Sequence, residues 1–284
     1  MFRPRDSYDQ RLLHAALHVS PEPASLHWVH DVFGNCVACV RFGAERAAAL
    51  RFESTIELEH VSQPVLEFPI AEHARFYPFA YDQEDMPDLL RSIERQHLDR
   101  NNELSAWAAS FTRTGGAVRT SDLLARITRA IHQDFRYLRR EEMGVQQPLQ
   151  TLRLRTGSCR DFAVLMIEAV RALGFAARFV SGYLYDPSEG RGKQVGGGAT
   201  HAWVQVFVPG AGWMEFDPTN GIVGSHNLIR VAIARDPVQA VPVWGSYTGF
   251  AADSLGLTVD VTVTAQQKPA WRAALSAAEP SLVG

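Results

Sequence analysis

Residues 157–174 carry the strongest constraint on the fold. Ser158 and Asp161 stand three apart just ahead of an apolar run. That is the spacing of a capping box, and it predicts a helix whose first turn begins at Cys159. Phe162, Leu165, Met166, Ala169, Val170 and Leu173 follow at i, i+3, i+4 intervals, with Cys159 on the same stripe. The sulfur is therefore expected to face the packed interior. Leu173-Gly174 supplies the stop, since glycine is favoured just past a helix end. At the first turn, unpaired backbone N–H groups and the positive end of the helix dipole favour a thiolate. A free cysteine is more often a small buried hydrophobe, so the nucleophile reading depends on partners elsewhere.

Such partners occur downstream. Thr200 to Val208 reads as a strand, Pro209-Gly210-Ala211-Gly212 as its turn, and Trp213 to Asp217 as the return strand. His201 opens this hairpin and Asp217 closes it, so both side chains belong to its open end. One imidazole nitrogen can take the Cys159 proton while a carboxylate on the other fixes the tautomer. A four-residue turn would pair Asp217 with Val204 and point it away from His201, because faces alternate. A one-residue bulge or a longer loop would restore the parity. Trp203 and Trp213 read as core aromatics with a second role lining a substrate cleft. Arg153, Arg155 and Arg160 flank the cysteine and read as solvated surface arginines.

Three separated motifs now stand in order: G-x-C-x-D-x-A from Gly157, H-A-W from His201, and W-x-x-x-D-P-T-N from Trp213 to Asn220. With His30-Asp31-Val32-Phe33-Gly34-Asn35 near the start, the chain resembles the transglutaminase-like superfamily of papain-fold cysteine enzymes in its bacterial form. The resemblance implies an α+β fold, with a papain-like, transglutaminase-like core in which a cysteine-bearing helix packs on an antiparallel sheet. An N-terminal β-sandwich-like domain would precede it. It also implies Cys159 as nucleophile, His201 as general base and acid, and Asp217 as orienter, acting on a peptide or protein amide through a thioester. Whether an amine or water accepts the acyl group stays open, so a cysteine peptidase, amidase or deamidase is the alternative, as is a catalytically silent binding or scaffold protein. The Cys159 N–H is one expected oxyanion donor; Gln146, Gln147 and Tyr137 are candidates for the other. Ser158 stands where animal transglutaminases have Gln, and no acidic cluster has EF-hand spacing, so calcium activation is not carried over.

Cys36-x2-Cys39, with His27 and His30 upstream, has the ligand types of a zinc site. The stretch from Asn35 to Phe42 reads as a strand, in which an offset of three points the two thiols to opposite faces. No metal and no cofactor are expected. A net charge of −3 and a pI near 6.4 supply no electrostatic case for nucleic acid or anionic membranes. No apolar run reaches membrane-spanning length. Three cysteines without a disulfide framework or signal peptide suit a reducing cytoplasm. The oligomeric state is left open.

With 284 residues, 46% of them hydrophobic, the chain divides on this reading into an N-terminal β domain (1–72), a helical connector (73–116), a catalytic core (117–265) and a tail (266–284). Helices are expected over Pro87 to Leu98, Glu103 to Phe111, and from Thr120 with Leu123, Leu124, Ile127, Ile131 and Phe135 as its core face. Ala176 to Tyr185 reads as a strand, and so does the alternating Leu257 to Val263. Asp186 to Ala199, glycine-rich and leading into His201, reads equally as a flap at the site or as a tolerated surface insertion. The His30-Asp31 pair is expected to make a structural hydrogen bond.

Overall fold

The helix announced by the capping-box spacing organises the C-terminal half of the chain. The structure, a computed structural model, describes residues 1–61, 69–113, 116–140, 144–185 and 199–265. In chain order the elements are β1 (Gln10–Ser20), β2 (Ser25–His30), β3 (Cys36–Arg41), β4 (Arg51–His60), β5 (Phe76–Tyr77), α1 (Met86–Ile93), α2 (Glu103–Ser110), β6 (Val118–Arg119), α3 (Thr120–Asp134), β7 (Arg136–Tyr137), α4 (Pro148–Leu154), β8 (Thr156–Gly157), α5 (Cys159–Ala172), β9 (Ala177–Leu184), β10 (His201–Val208), β11 (Gly212–Asp217), β12 (Ile222–Val223) and β13 (Leu228–Ala234). The fold is α+β.

The central sheet has five strands in the order β12-β11-β10-β9-β13, each pair antiparallel. Alternation along β10 gives the sheet two different faces. Ala202, Val204, Val206 and Val208 share one core with Phe162, Leu165, Met166 and Ala169 of α5 and with the buried face of α3. Each valine, leucine, methionine or phenylalanine among them contributes about 1.5–3 kcal/mol by leaving water. On the other face Trp203 packs with Val180, Leu184 and Leu228. The same face carries a polar chain: Arg178 donates to Gln205 (2.8 Å), Gln205 to Glu215 (2.9 Å), and Arg230 to both Glu215 (2.7 Å) and Asp9 (2.9 Å). Asp9 precedes β1, so these bonds tie the N-terminal strands to the sheet.

Those strands form two antiparallel ribbons, β1 with β4 and β2 with β3. At the β2–β3 turn the Asp31 carboxylate accepts from the backbone N–H of Phe33 (2.9 Å) and Asn35 (2.8 Å) and from the Asn35 amide (2.9 Å). Asn35 then clasps β13, donating to the Ile233 carbonyl (2.7 Å) and accepting from its N–H (2.9 Å). The structural bond therefore sits on Asp31 and Asn35, and His30 is exposed. Asn35→Ala leaves a buried backbone donor and acceptor unpaired and is expected to cost about 2–3 kcal/mol, whereas His30→Ala stays within about 0.5 kcal/mol. Thermal melts of the two variants check this.

Three local expectations are corrected. The first helix ends at Ile93, short of Leu98, because the next turn is captured from outside: Glu168 of α5 accepts the N–H of Gln96 (3.1 Å) and His97 (3.3 Å), and Arg171 donates to the Ser92 carbonyl (2.9 Å). The alternation from Leu257 to Val263 forms no strand, and Leu257 is 78% exposed. Alternating β-branched residues need a neighbouring strand to pair with, and none is offered there among the described residues. The turn between β10 and β11 is shorter than expected, with Val208 pairing Gly212. Asp186 to Gly198, nearly all of the expected flap or insertion, lies outside the described residues.

Candidate active site

The short turn settles the parity of the hairpin. Val204 pairs with Phe216 without a register shift, so Asp217 falls opposite Trp203 and on the same face as His201, with no bulge required. His201 Nε2 lies 2.8 Å from Asp217 Oδ2, and both side chains are fully buried. Asp217 also accepts from the Asn220 amide (2.8 Å) and, through Oδ1, from the backbone N–H of Thr219 (2.9 Å). Burial alone would raise this carboxyl; the His201 ring and these donors outweigh burial and hold it below the ordinary 3.8. Burial alone would likewise lower the imidazole, but the Asp217 carboxylate and then the Cys159 sulfur reverse this and push it up to about 10. Among the described residues no hydrogen-bond partner is drawn up to the buried His201 Nδ1, which leaves that nitrogen for the sulfur.

The pH dependence follows from these directions. Folding raises the ring from 6.5 to about 10, so its contribution to stability is full below about pH 6.5 and fades as the pH climbs toward 10. Asp217 contributes above 3.8 and loses its share in acid. In Asp217→Asn the imidazole loses the charge that raises it, so the melting temperature should fall less between neutral and alkaline pH than it does in the unaltered chain. Calorimetric scans across that range check this.

Cys159 is the first residue of α5, and the capping box is complete: Asp161 N–H meets Ser158 Oγ while Ser158 N–H donates to Asp161 Oδ2 (2.8 Å). The other oxygen of Asp161 takes the Gln146 N–H (2.6 Å) and the Arg140 guanidinium (2.9 Å). One fully buried carboxylate thus holds both the helix start and the preceding loop. Gly157 is sterically required, because a Cβ there would lie 2.9 Å from Asp161 Cβ and 3.2 Å from the Phe162 ring. The thiol itself is 7% exposed.

The other expected residues fall in different places. Trp203 is wholly buried and stacks on His201 (ring centroids 6.0 Å apart), so it backs the imidazole and lines no cleft. Trp213 sits at the turn end of the hairpin beneath the Arg178 guanidinium (3.9 Å). Arg153 is exposed and paired with Glu103, and Arg155 lies over the Phe135 ring. Arg160 is not a surface arginine: its side chain turns inward over Phe179 (4.9 Å) and donates to the Pro237 carbonyl (2.8 Å). The Gln146 amide is already committed, donating to Thr151 Oγ1 and the Thr156 carbonyl at 3.0 Å each. Gln147 is exposed and engaged with His97 (2.8 Å). Tyr137 pairs with Gly157 across β7 and β8, and burial, then the charge of Cys159, raise its hydroxyl. Asn220 entered the sequence reading only as the last residue of the W-x-x-x-D-P-T-N motif, and its bond to Asp217 needs the fold.

Residues 105–218 match the core model of the transglutaminase-like superfamily, and residues 1–59 match the bacterial transglutaminase-like N-terminal region. The chain belongs to the transglutaminase-like superfamily. It is similar to uncharacterized protein Rv2569c of Mycobacterium tuberculosis, 29% identical over 91% of this chain and 84% of that one. With uncharacterized protein ML0607 of Mycobacterium leprae it shares 34% identity over 40% of each chain. Among solved structures, a candidate cysteine protease from Cytophaga hutchinsonii superposes with a TM-score of 0.61 at 20% identity, covering 84% of this chain and 76% of that one. This transglutaminase-like chain therefore shares its fold with that structure. Among the described residues no helix is long and apolar enough to cross a membrane, and no cluster of three or more potential metal ligands forms.

Proposed function

We propose that the protein is a cysteine-dependent acyltransferase acting on amide bonds of peptides or proteins. The observation that carries this is the buried His201–Asp217 pair, whose remaining ring nitrogen is left to a thiol at a helix N-terminus. A buried ion pair is costly to maintain and is weak evidence of stability by itself, which favours a chemical role over a silent scaffold. In this reading His201, charged at neutral pH, already holds on Nδ1 the proton given up by Cys159, and the sulfur attacks the amide carbonyl as the thiolate of that ion pair. The C–N bond then breaks, His201 returns the proton to the leaving amine, and a thioester remains. Asp217, held by Asn220, keeps Nε2–H oriented and stabilises the imidazolium. The Cys159 N–H, which has no intrahelical acceptor, supports the oxyanion. An incoming amine completes transfer; water completes hydrolysis. Free thiols at Cys36, Cys39 and Cys159 suit a reducing, cytoplasmic setting.

The deciding experiment follows two products at once, ammonia release and incorporation of a fluorescent primary amine into a glutamine-containing peptide. Both signals, lost in Cys159→Ala, are expected of a transferase. Ammonia without incorporation indicates a deamidase, and cleavage of the peptide indicates a peptidase. Activity that survives Cys159→Ala would overturn the assignment of the nucleophile.

A further inference from the structure

The far end of the β10–β11 hairpin holds a pocket that the chemistry above does not use. It encloses about 560 Å³ between the β2–β3 turn, α1 and the sheet, with Arg178, Phe207, Trp213 and Arg235 in its wall. That volume lies within the roughly 300–1,000 Å³ of small-molecule sites. Phe207 is six residues along β10 from His201, a separation of about 20 Å at the rise of a strand.

The chemistry of the wall is unusual. Arg178 spends only Nε on the protein, donating to Gln205 Oε1 at 2.8 Å, and its flat face rests on Trp213 at 3.9 Å. Glu215, the carboxylate acting on it, is already bonded to Arg230 at 2.7 Å. Burial first, then the positive charges of Arg230 and Arg5, lower the Arg178 guanidinium to about 9. A second cation faces the same space, and among the described residues Arg235 Nε is buried with no hydrogen-bond partner. A buried guanidinium N–H without an acceptor is costly unless an anion satisfies it. The remaining charged groups of the wall are Arg91, held by Glu94 at 2.6 Å, and Asp85 and Asp88. With Arg91 offset by Glu94, Arg178 and Arg235 stand against Asp85 and Asp88, a balance that suits a single negative charge and disfavours a polyphosphate. The rings of Trp213, Phe207 and Phe33 favour a flat apolar group beside it.

We propose that this pocket is a second ligand site, separate from Cys159, for an organic monocarboxylate bearing a flat apolar group, with its carboxylate on Arg178 and Arg235 and its ring against Trp213. The source is either a free aromatic acid or a peptide carboxy terminus, and the probes separate the two. Calorimetric titration of the full chain with 3-phenylpropionate, N-acetylphenylalanine and N-acetylphenylalaninamide tests the site. One or both acids should bind with one-to-one stoichiometry while the amide does not. 3-Phenylpropionate alone indicates a free acid; preference for N-acetylphenylalanine indicates a peptide terminus. Arg178→Met and Arg235→Met should each weaken binding at least about tenfold, and Cys159→Ala should leave it unchanged. Should Arg178→Met fail to fold, Arg235→Met carries the test alone. Equal binding of acid and amide, unchanged affinity in the arginine variants, loss of binding in Cys159→Ala, or no binding by any probe at millimolar concentration would overturn the proposal.

Discussion

In His201→Ala, iodoacetamide is expected to alkylate Cys159 about a hundredfold more slowly near neutral pH, the usual range for removing a positioned base. The competing thiols make this a sharp experiment. Cys36 and Cys39 are half-buried, whereas Cys159 is 7% exposed, so accessibility alone would label the first two sooner. Preferential modification of Cys159 in the unaltered chain therefore requires activation by its surroundings. Peptide mapping after timed quenching resolves the three sites. Equal rates at all three, or a Cys159 rate indifferent to His201, would remove the case for an activated nucleophile.

Asp161→Ala is expected to destabilise the fold by about 3–5 kcal/mol, the range for breaking a buried charge pair by removing one partner. The carboxylate has no exposed surface, and it satisfies the Ser158 N–H, the Gln146 N–H and the Arg140 guanidinium together. Its loss leaves all three short of an acceptor and strips the cap from α5. For a chain of this size the melting temperature should drop by about 10 °C. Asp161→Asn offers one acceptor oxygen and one misplaced donor, so it should recover only part of the loss. A melt indistinguishable from the unaltered chain would contradict the role assigned to this carboxylate.

The capping box was legible because it lies within four residues, and α3 and α5 because their stripes repeat along one surface. The hairpin was legible as two strands around a glycine turn, but its register was not. That register depends on Gly210, where a Cβ would stand 2.3 Å from the Pro69 carbonyl, and on Pro209, whose carbonyl accepts the Ala71 N–H at 2.8 Å. Contacts with residues about 140 positions away leave no mark on a turn of this composition. Arg160 hid for the same reason, since its acceptor lies 77 residues downstream. The Leu257 to Val263 alternation misled in the opposite sense: a half-buried pattern was present without a ladder to use it. For Asn220, the sequence offered only its place at the end of a motif; the fold revealed the bond it makes to the carboxylate.

His201 and Asp217 belong to one ribbon, and Asn220 follows in its next turn, which is itself moored to α3 where His132 Nδ1 lies 2.8 Å from the Thr219 carbonyl. Cys159 alone arrives on a different element. The imidazole and its carboxylate thus travel as one rigid body, and the weak coordinate of the site is the seam between α5 and β10. Loosening that seam would widen the gap between sulfur and ring while leaving the buried acid–base pair intact. A folded, unreactive chain would then keep the alkaline-titrating imidazole signal in its NMR spectrum, a signature that separates a slipped helix from a broken triad.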